Sequence, residues 1–149
     1  IRDSSVTGVQ TCALPILRFI AHRGASHDAP ENTLAAFRLG WAQGAEAVEL
    51  DLHRTRDGAL LVCHDSDTQR TTGIARVIAA TPLAELRALD AGAWRGEEFR
   101  GERLPMLAEV LALVPDGKQL VIELKCGADA LPELARVIAA STSGWKPMA

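Results

Sequence analysis

Residues 48–52 read VELDL and set two carboxylates, Glu49 and Asp51, two positions apart inside an apolar run. In a strand, side chains alternate faces, so Val48, Leu50 and Leu52 point one way and the two acids the other. Like charges on one face repel unless water, a proton or a cation separates them. A third acid of the same kind, Glu123, stands in QLVIELK with Lys125 two residues on. Burying three carboxylates among Val, Leu and Ile without partners would cost several kcal/mol each. An oxygen-rich set suits a hard cation, Mg2+ or Ca2+, better than zinc. Arg23 and Lys125 bring positive charge beside the acids, and phosphate suits both a guanidinium fork and an ammonium. His22 and His64 add groups that titrate near neutral pH, an acid and a base. A cation, an anion clamp and an acid–base pair together describe phosphoester cleavage.

Taken singly, each residue also has an ordinary structural reading. A lone strand histidine commonly serves the fold, and neither His27 nor His53 ends an apolar run. Glu31, in PENT, can stabilise a helix start through the dipole. Asp57 in TRDG is a turn former. Asp65, Asp67 and the charges around 97–103 read as solvated loop, and Cys63 and Cys126 as small buried hydrophobes. The case for chemistry rests on shared position. His22, Arg23, Glu49, Asp51, His64, Glu123 and Lys125 all fall at or near the C-terminal ends of apolar runs. Ligand and catalytic groups gather there in α/β barrels and open α/β sheets.

The elements that carry them alternate. LRFIAHRG is a strand feeding a polar rim, and Asn32 or Thr33 caps a helix with Leu34, Phe37 and Trp41 on one face, stopped by Gly44. AEAVELDL is the second strand, TRDG a turn, and ALLVCHD a third apolar run. A helix capped by Thr81 with Pro82 at its first position follows, then a charged loop. A helix on Leu107, Val110, Leu111 and Val114 ends at PDG, QLVIELK is a further strand, and LPELARVIAAS a last helix. This order predicts a parallel α/β sheet. Only twelve residues separate Asp51 from His64, too few for a helical crossover. The chain is therefore expected to return to the far rim through an extended or irregular LHRTRDG.

The 149 residues, 48% hydrophobic and 23% charged with a formal net charge of −3, have the composition of one domain or part of one. Neither the charge nor any Lys/Arg run points to nucleic acid. No apolar run approaches the ~18 residues of a membrane span. The three cysteines, widely spaced and odd in number, fit free thiols of a reducing, cytoplasmic setting better than a disulfide framework, without fixing the compartment. The first sixteen residues show no periodicity and no secretory pattern. Their VTGVQTCALPI resembles a translated sequencing-library adapter, so 1–16 is read as an artefact, with a disordered native tail as the alternative.

AHRGASHDAPENTLAAF, then VELDLHRTRDGALLVCHD with RTTG close behind, then LP-x-L and IELK resemble the glycerophosphodiester phosphodiesterase family from Leu17 to about Lys125. The resemblance implies an α/β fold, a TIM-type (β/α)8 barrel, with the polar segment 65–103 as the family's insertion. It implies Glu49, Asp51 and Glu123 as ligands of a divalent cation, Mg2+ or Ca2+. It makes His22 and His64 the acid–base pair, sets Arg23 and Lys125 on the substrate phosphate, and places Glu31 in the pocket. The implied partner is a small-molecule glycerophosphodiester. A phospholipase C-like or sphingomyelinase D-like enzyme is the rival, against which PENT and the insertion argue.

Such a barrel takes ~250 residues. Residues 17–149 are accordingly expected to be an N-terminal portion truncated at its C-terminus, inactive as it stands or a cation- or phosphate-binding module. Unpaired sheet edges would favour self-association.

Overall fold

A computed structural model describes residues 18–142. The expectations for residues 1–16, Cys12 and the final residues 143–149 lie outside them.

The first helix, α1 (Leu34–Ala42), is capped by Thr33, whose extended backbone turns its hydroxyl to accept the Ala36 N–H at 3.3 Å. Asn32, the other cap candidate, is turned elsewhere. Ala36, Phe37, Gly40 and Trp41 form the buried face, and Gly44, at φ +95°, lets the chain leave the helix end.

The sheet is organised on one strand, β2 (Ala47–Arg54). β1 (Ile20–Ala21) pairs with it in parallel at Ala47 and Val48, and β4 (Gln119–Leu124) in parallel from Ala47 to Leu52. The third apolar run differs from expectation. β3 (Leu60–Val62) runs antiparallel to β2, with Leu52 opposite Val62 and Arg54 opposite Leu60. There is no return to the far rim: LHRTRDG continues β2 and then turns. Gly58, at φ +89°, and the Thr55 hydroxyl, which accepts the Ala59 N–H at 3.0 Å, close the turn. Alternation of apolar residues encodes faces, not strand direction, and twelve residues suffice for a hairpin.

Because Leu52 is paired with both Val62 and Leu124, β3 and β4 lie on opposite edges of β2. Val48 is likewise paired with both Ala21 and Leu120, so β1 shares its edge with β3. β1 ascends that edge and β3 descends it. Their C-terminal ends therefore converge on the stretch of β2 that holds Glu49 and Asp51.

The outward face of the sheet forms the main core. Val48, Leu50, Leu52, Leu60 and Val62 pack with Phe37 and Trp41 of α1 and with Leu107 and Val110 of α4 (Leu107–Leu111), joined by Leu120, Ile122 and Leu124. α4 is shorter than the periodicity suggests, since Val114 lies beyond its end. α5 (Leu131–Thr142) closes this layer.

β3 is buried on both faces. Its Leu61, with the following Cys63, joins Ile78, Leu86, Ala91 and Leu104 in a second, smaller core inside the polar segment. That segment carries α2 (Gln69–Thr72) and α3 (Leu83–Arg87). Pro82, not Thr81, is the N-cap of α3. The Leu83 N–H is accepted by Asp57 at 3.0 Å, and the Thr81 hydroxyl donates to the Val77 carbonyl instead. The segment leaves and rejoins the sheet at adjacent points: the Val62 N–H reaches the Pro105 carbonyl at 2.8 Å, and Leu61 bridges to Met106. Among the described residues, no helix is long and apolar enough to cross a membrane, and Cys63 and Cys126 are free thiols.

Candidate active site

Opposite the apolar face of β2, Glu49 and Asp51 point to the other side of the sheet, beside Glu123 of β4, which is in register with Asp51. Asp51 is 0% exposed and Glu49 9%. One oxygen from each of the three carboxylates lies within 4.8 Å of the others.

Two left-handed, non-glycine residues serve these acids. Arg23, at φ 58°, directs its backbone N–H to Glu49 Oε2 at 3.0 Å. Asn32, at φ 56°, directs its Nδ2 to Asp51 Oδ2 at 2.9 Å. Such backbone is sparsely populated outside glycine and persists where surrounding contacts enforce it. Gly24 supplies part of that enforcement: at φ +79°, a Cβ there would lie 2.6 Å from the Ala36 carbonyl carbon, so only glycine lets the turn rest on α1.

Asp51 Oδ1 is buried and makes no hydrogen bond. Lys125 Nζ stands 3.2 Å from it and donates to Glu123 Oε1 at 2.6 Å. Burial, and then the charges of Asp51 and Glu123, push the Glu49 carboxyl above its usual range, against the Arg23 N–H that lowers it. Glu123, followed by Asp51, raises Lys125. A buried carboxylate oxygen without a hydrogen bond, paired with the Lys125 ammonium and beside two further carboxylates, fits a hard divalent cation. Charge agrees with this. Among the described residues, the five acids Glu31, Glu49, Asp51, Asp65 and Glu123 are met by three permanent cations, Arg23, Arg70 and Lys125, so the acids outnumber the cations by two.

The histidines flank this group differently. His22 follows β1, is 66% exposed, and holds Nε2 3.9 Å from Glu49 Oε2. His64 follows β3 and places Nδ1 2.7 Å from Asp65 Oδ1. The Arg70 hydrogen bond, and then His64, hold Asp65 down at about 2. Asp65 is therefore an acceptor, the His64 Nδ1–H is the donor, and Nε2 is left for chemistry. The His64 carbonyl accepts the His53 Nε2–H at 3.1 Å. Among the described residues, no hydrogen bond or ion pair joins His22 to His64.

Glu31 does more than favour a helix start. Arg23 Nη1 donates to its Oε1 at 3.1 Å, and Arg70 grips both its oxygens at 2.7 and 2.9 Å. Arg70 foremost, then Arg23, lower its carboxyl despite burial. Arg23 also brings Nε to 3.4 Å from Asp51 Oδ2. A continuous ionic path thus runs from His64 through Asp65, Arg70, Glu31 and Arg23 to Asp51, Lys125 and Glu123.

The eight residues read from sequence (His22, Arg23, Glu31, Glu49, Asp51, His64, Glu123 and Lys125) fall into this assembly. Asn32, Asp65 and Arg70 were missed. Arg70 opens the RTTG already noted as a motif, and Asp65 is adjacent to His64, yet both have the composition of solvated loop. A cleft of about 440 Å3 opens beside Lys125, lined by His53, Arg54, Arg56 and Ser66 among others.

A sequence profile of the Glycerophosphoryl diester phosphodiesterase family matches residues 22–131. The glycerophosphodiester phosphodiesterase of Caldanaerobacter subterraneus subsp. tengcongensis is 48% identical over 109 residues, covering 72% of this chain and 45% of that protein. The crystal structure of glycerophosphodiester phosphodiesterase from Agrobacterium tumefaciens superposes with a TM-score of 0.78 at 34% identity, over 85% of this chain and 54% of that one. An Oleispira antarctica phosphodiesterase, solved in complex with the product sn-glycerol-3-phosphate, gives 0.76 at 38% identity, over 89% of this chain and 54% of its own. The chain spans about half the length of the curated relatives it matches. Its partly parallel sheet and helices correspond to part of the TIM-type barrel of these neighbours.

Proposed function

The chain belongs to the glycerophosphoryl diester phosphodiesterase family, and on that premise we propose that the function of the complete protein is the metal-dependent hydrolysis of glycerophosphodiesters to glycerol 3-phosphate and an alcohol. The observation that carries the reading is the meeting of the Glu49–Asp51–Glu123 cluster, with its unbonded Asp51 Oδ1, and two histidines at the converging ends of β1 and β3. The product held by the Oleispira antarctica relative supports glycerol 3-phosphate as the phosphorylated product.

Phosphodiester cleavage must overcome the repulsion between an anionic substrate and its nucleophile, and the poor departure of an alkoxide. A Mg2+ or Ca2+ ion held by Glu49, Asp51 and Glu123 would supply Lewis-acid neutralisation of charge on a phosphoryl oxygen. Arg23, fixed by Glu31, directs a guanidinium toward the same region, where it binds the phosphate and stabilises charge that develops in the transition state. Lys125 sits on Glu123 and beside Asp51; once those acids are otherwise neutralised, its ammonium becomes available to the phosphate. His22 and His64 divide the proton transfers, one taking the proton of the nucleophile and the other giving one to the departing alcohol. His64 performs its part through Nε2, since Nδ1 is committed to Asp65.

The test is incubation of a protein that carries the complete barrel, alongside the purified chain, with glycerophosphocholine and with intact phosphatidylcholine, each with Mg2+ or Ca2+ and with chelator. Metal-dependent release of glycerol 3-phosphate from the deacylated diester alone is the expected result for the complete protein, with no turnover by the 149 residues alone. Turnover confined to the lipid would favour the phospholipase C-like reading. Cation binding by the complete, folded protein with no turnover of either would leave a binding module.

A further inference from the structure

We propose that Arg70 is a positioning residue of this site: by holding Asp65 and Glu31 with one guanidinium, it fixes the His64 ring and the Arg23 side chain in a single arrangement. The proposal rests on reading His64 and Arg23 as parts of the phosphodiesterase machinery.

All three nitrogens of Arg70 are engaged. Nε donates to Asp65 Oδ2 at 2.7 Å, Nη1 to Glu31 Oε2 at 2.7 Å and Nη2 to Glu31 Oε1 at 2.9 Å. Each carboxylate passes the constraint on. The other oxygen of Asp65 receives the His64 Nδ1–H at 2.7 Å, and Glu31 Oε1 also receives Arg23 Nη1 at 3.1 Å. A planar fork that grips two carboxylates at once sets the torsion of both, which a lysine ammonium cannot do. Stability alone does not account for the arrangement. The Arg70 side chain is 45% exposed, so solvent screens part of what its ion pairs contribute to folding. Glu31 and Asp65 would each keep a partner without it, Arg23 and His64. What the guanidinium adds is orientation. Its place in α2, inside the segment that leaves the sheet after β3, makes that segment a working part of the site.

The test is nitrogen-resolved NMR of the His64 ring in the full chain, comparing wild type, Arg70→Met, Arg70→Lys and Asp65→Asn, with the exposed His27 ring as reference. The wild-type neutral ring is expected as the Nδ1–H tautomer. Arg70→Met and Asp65→Asn should shift it to the mixture of a free imidazole, Arg70→Lys should recover part of the preference, and His27 should not move. An unchanged His64 signature in Arg70→Met, or a mixed tautomer already in wild type, overturns the proposal. So does loss of spectral dispersion in both Arg70 variants, which would make the residue a support of the fold. No turnover is read, so failure of the hydrolytic reading and failure of this one are separate results.

Discussion

Asn32 holds Asp51 at two points: Nδ2 donates to Asp51 Oδ2 at 2.9 Å, and Oδ1 accepts the Asp51 backbone N–H at 3.4 Å. The amide thereby occupies one carboxylate oxygen and turns the other, Oδ1, toward Lys125 and Glu123. Groups that orient a ligand in this way commonly matter 10–100-fold to metal affinity. Asn32→Gly, which keeps the left-handed backbone and loses the amide, is expected to weaken Mg2+ or Ca2+ binding by roughly 10-fold or more in a calorimetric titration. Asn32→Ala should show the same loss and a further drop in stability of about 1 kcal/mol, because alanine is strained at this φ. Wild-type affinity in Asn32→Gly would remove the amide from the account of the site.

Glu49 carries the price of crowding. Its folded-state pKa is raised, by burial first, so the folded chain binds its proton more tightly than the unfolded chain does. Its contribution to stability is present below the unfolded value of about 4.3 and is lost as pH rises through the raised folded value. At neutral pH without metal, Glu49→Gln should therefore raise the unfolding temperature. In wild type a cation at 100 times its dissociation constant should stabilise by about 2.7 kcal/mol, and this increment should shrink in Glu49→Gln. Thermal unfolding of both proteins with and without Ca2+ reads each outcome.

Asp65 works in the opposite direction. Arg70 and His64 hold it at about 2, below the unfolded aspartate value of about 3.9. Stability from this carboxylate is fully present above about pH 4 and lost as pH falls toward its folded value. The difference in unfolding temperature between wild type and Asp65→Asn should narrow as pH falls from about 4 toward about 2. A difference independent of pH would mean that the acid limb belongs to other groups.

His22→Ala and His64→Ala should each lower turnover of a glycerophosphodiester by about 100-fold or more while cation binding survives. Normal turnover in the His64 variant would dismiss it from the acid–base pair.

Val121 is 41% exposed on the face that carries Glu123, and among the described residues neither β1 nor β4 pairs with a strand on its outer edge. Self-association that grows with concentration is expected in sedimentation velocity. A monomer across the accessible range would show that these edges are guarded.

The legible part of the site was the local part. Two acids in an apolar strand, histidines closing apolar runs and the spacing of Phe37 and Trp41 are properties of short stretches, and the acids and histidines they single out lie in one assembly, to which Glu31 was assigned only through the family resemblance. Direction was not legible, because ALLVCHD has the same alternation whether it runs with β2 or against it. Asn32, Arg70 and Asp57 were missed or undervalued for another reason: their partners Asp51, Glu31 and Leu83 lie 19, 39 and 26 residues away. A polar side chain in a loop carries no local mark of a distant partner.

The polar segment begins and ends at neighbouring points, Val62 beside Pro105 and Leu61 beside Met106, and it has an apolar centre of its own in Ile78, Leu86, Ala91 and Leu104. It can consequently lengthen, shrink or be exchanged for another sequence without changing the spacing of the strands beneath it. The exchange is not free, because His64, Asp65 and Arg70 travel with the segment while Glu31 and Arg23 stay behind. A graft that omits Arg70 would preserve the scaffold and sever its link to the scaffold's own charges. Diversification of this region should therefore be concentrated after residue 73, leaving the stretch from His64 to Gly73 as the fixed plug by which any such module connects.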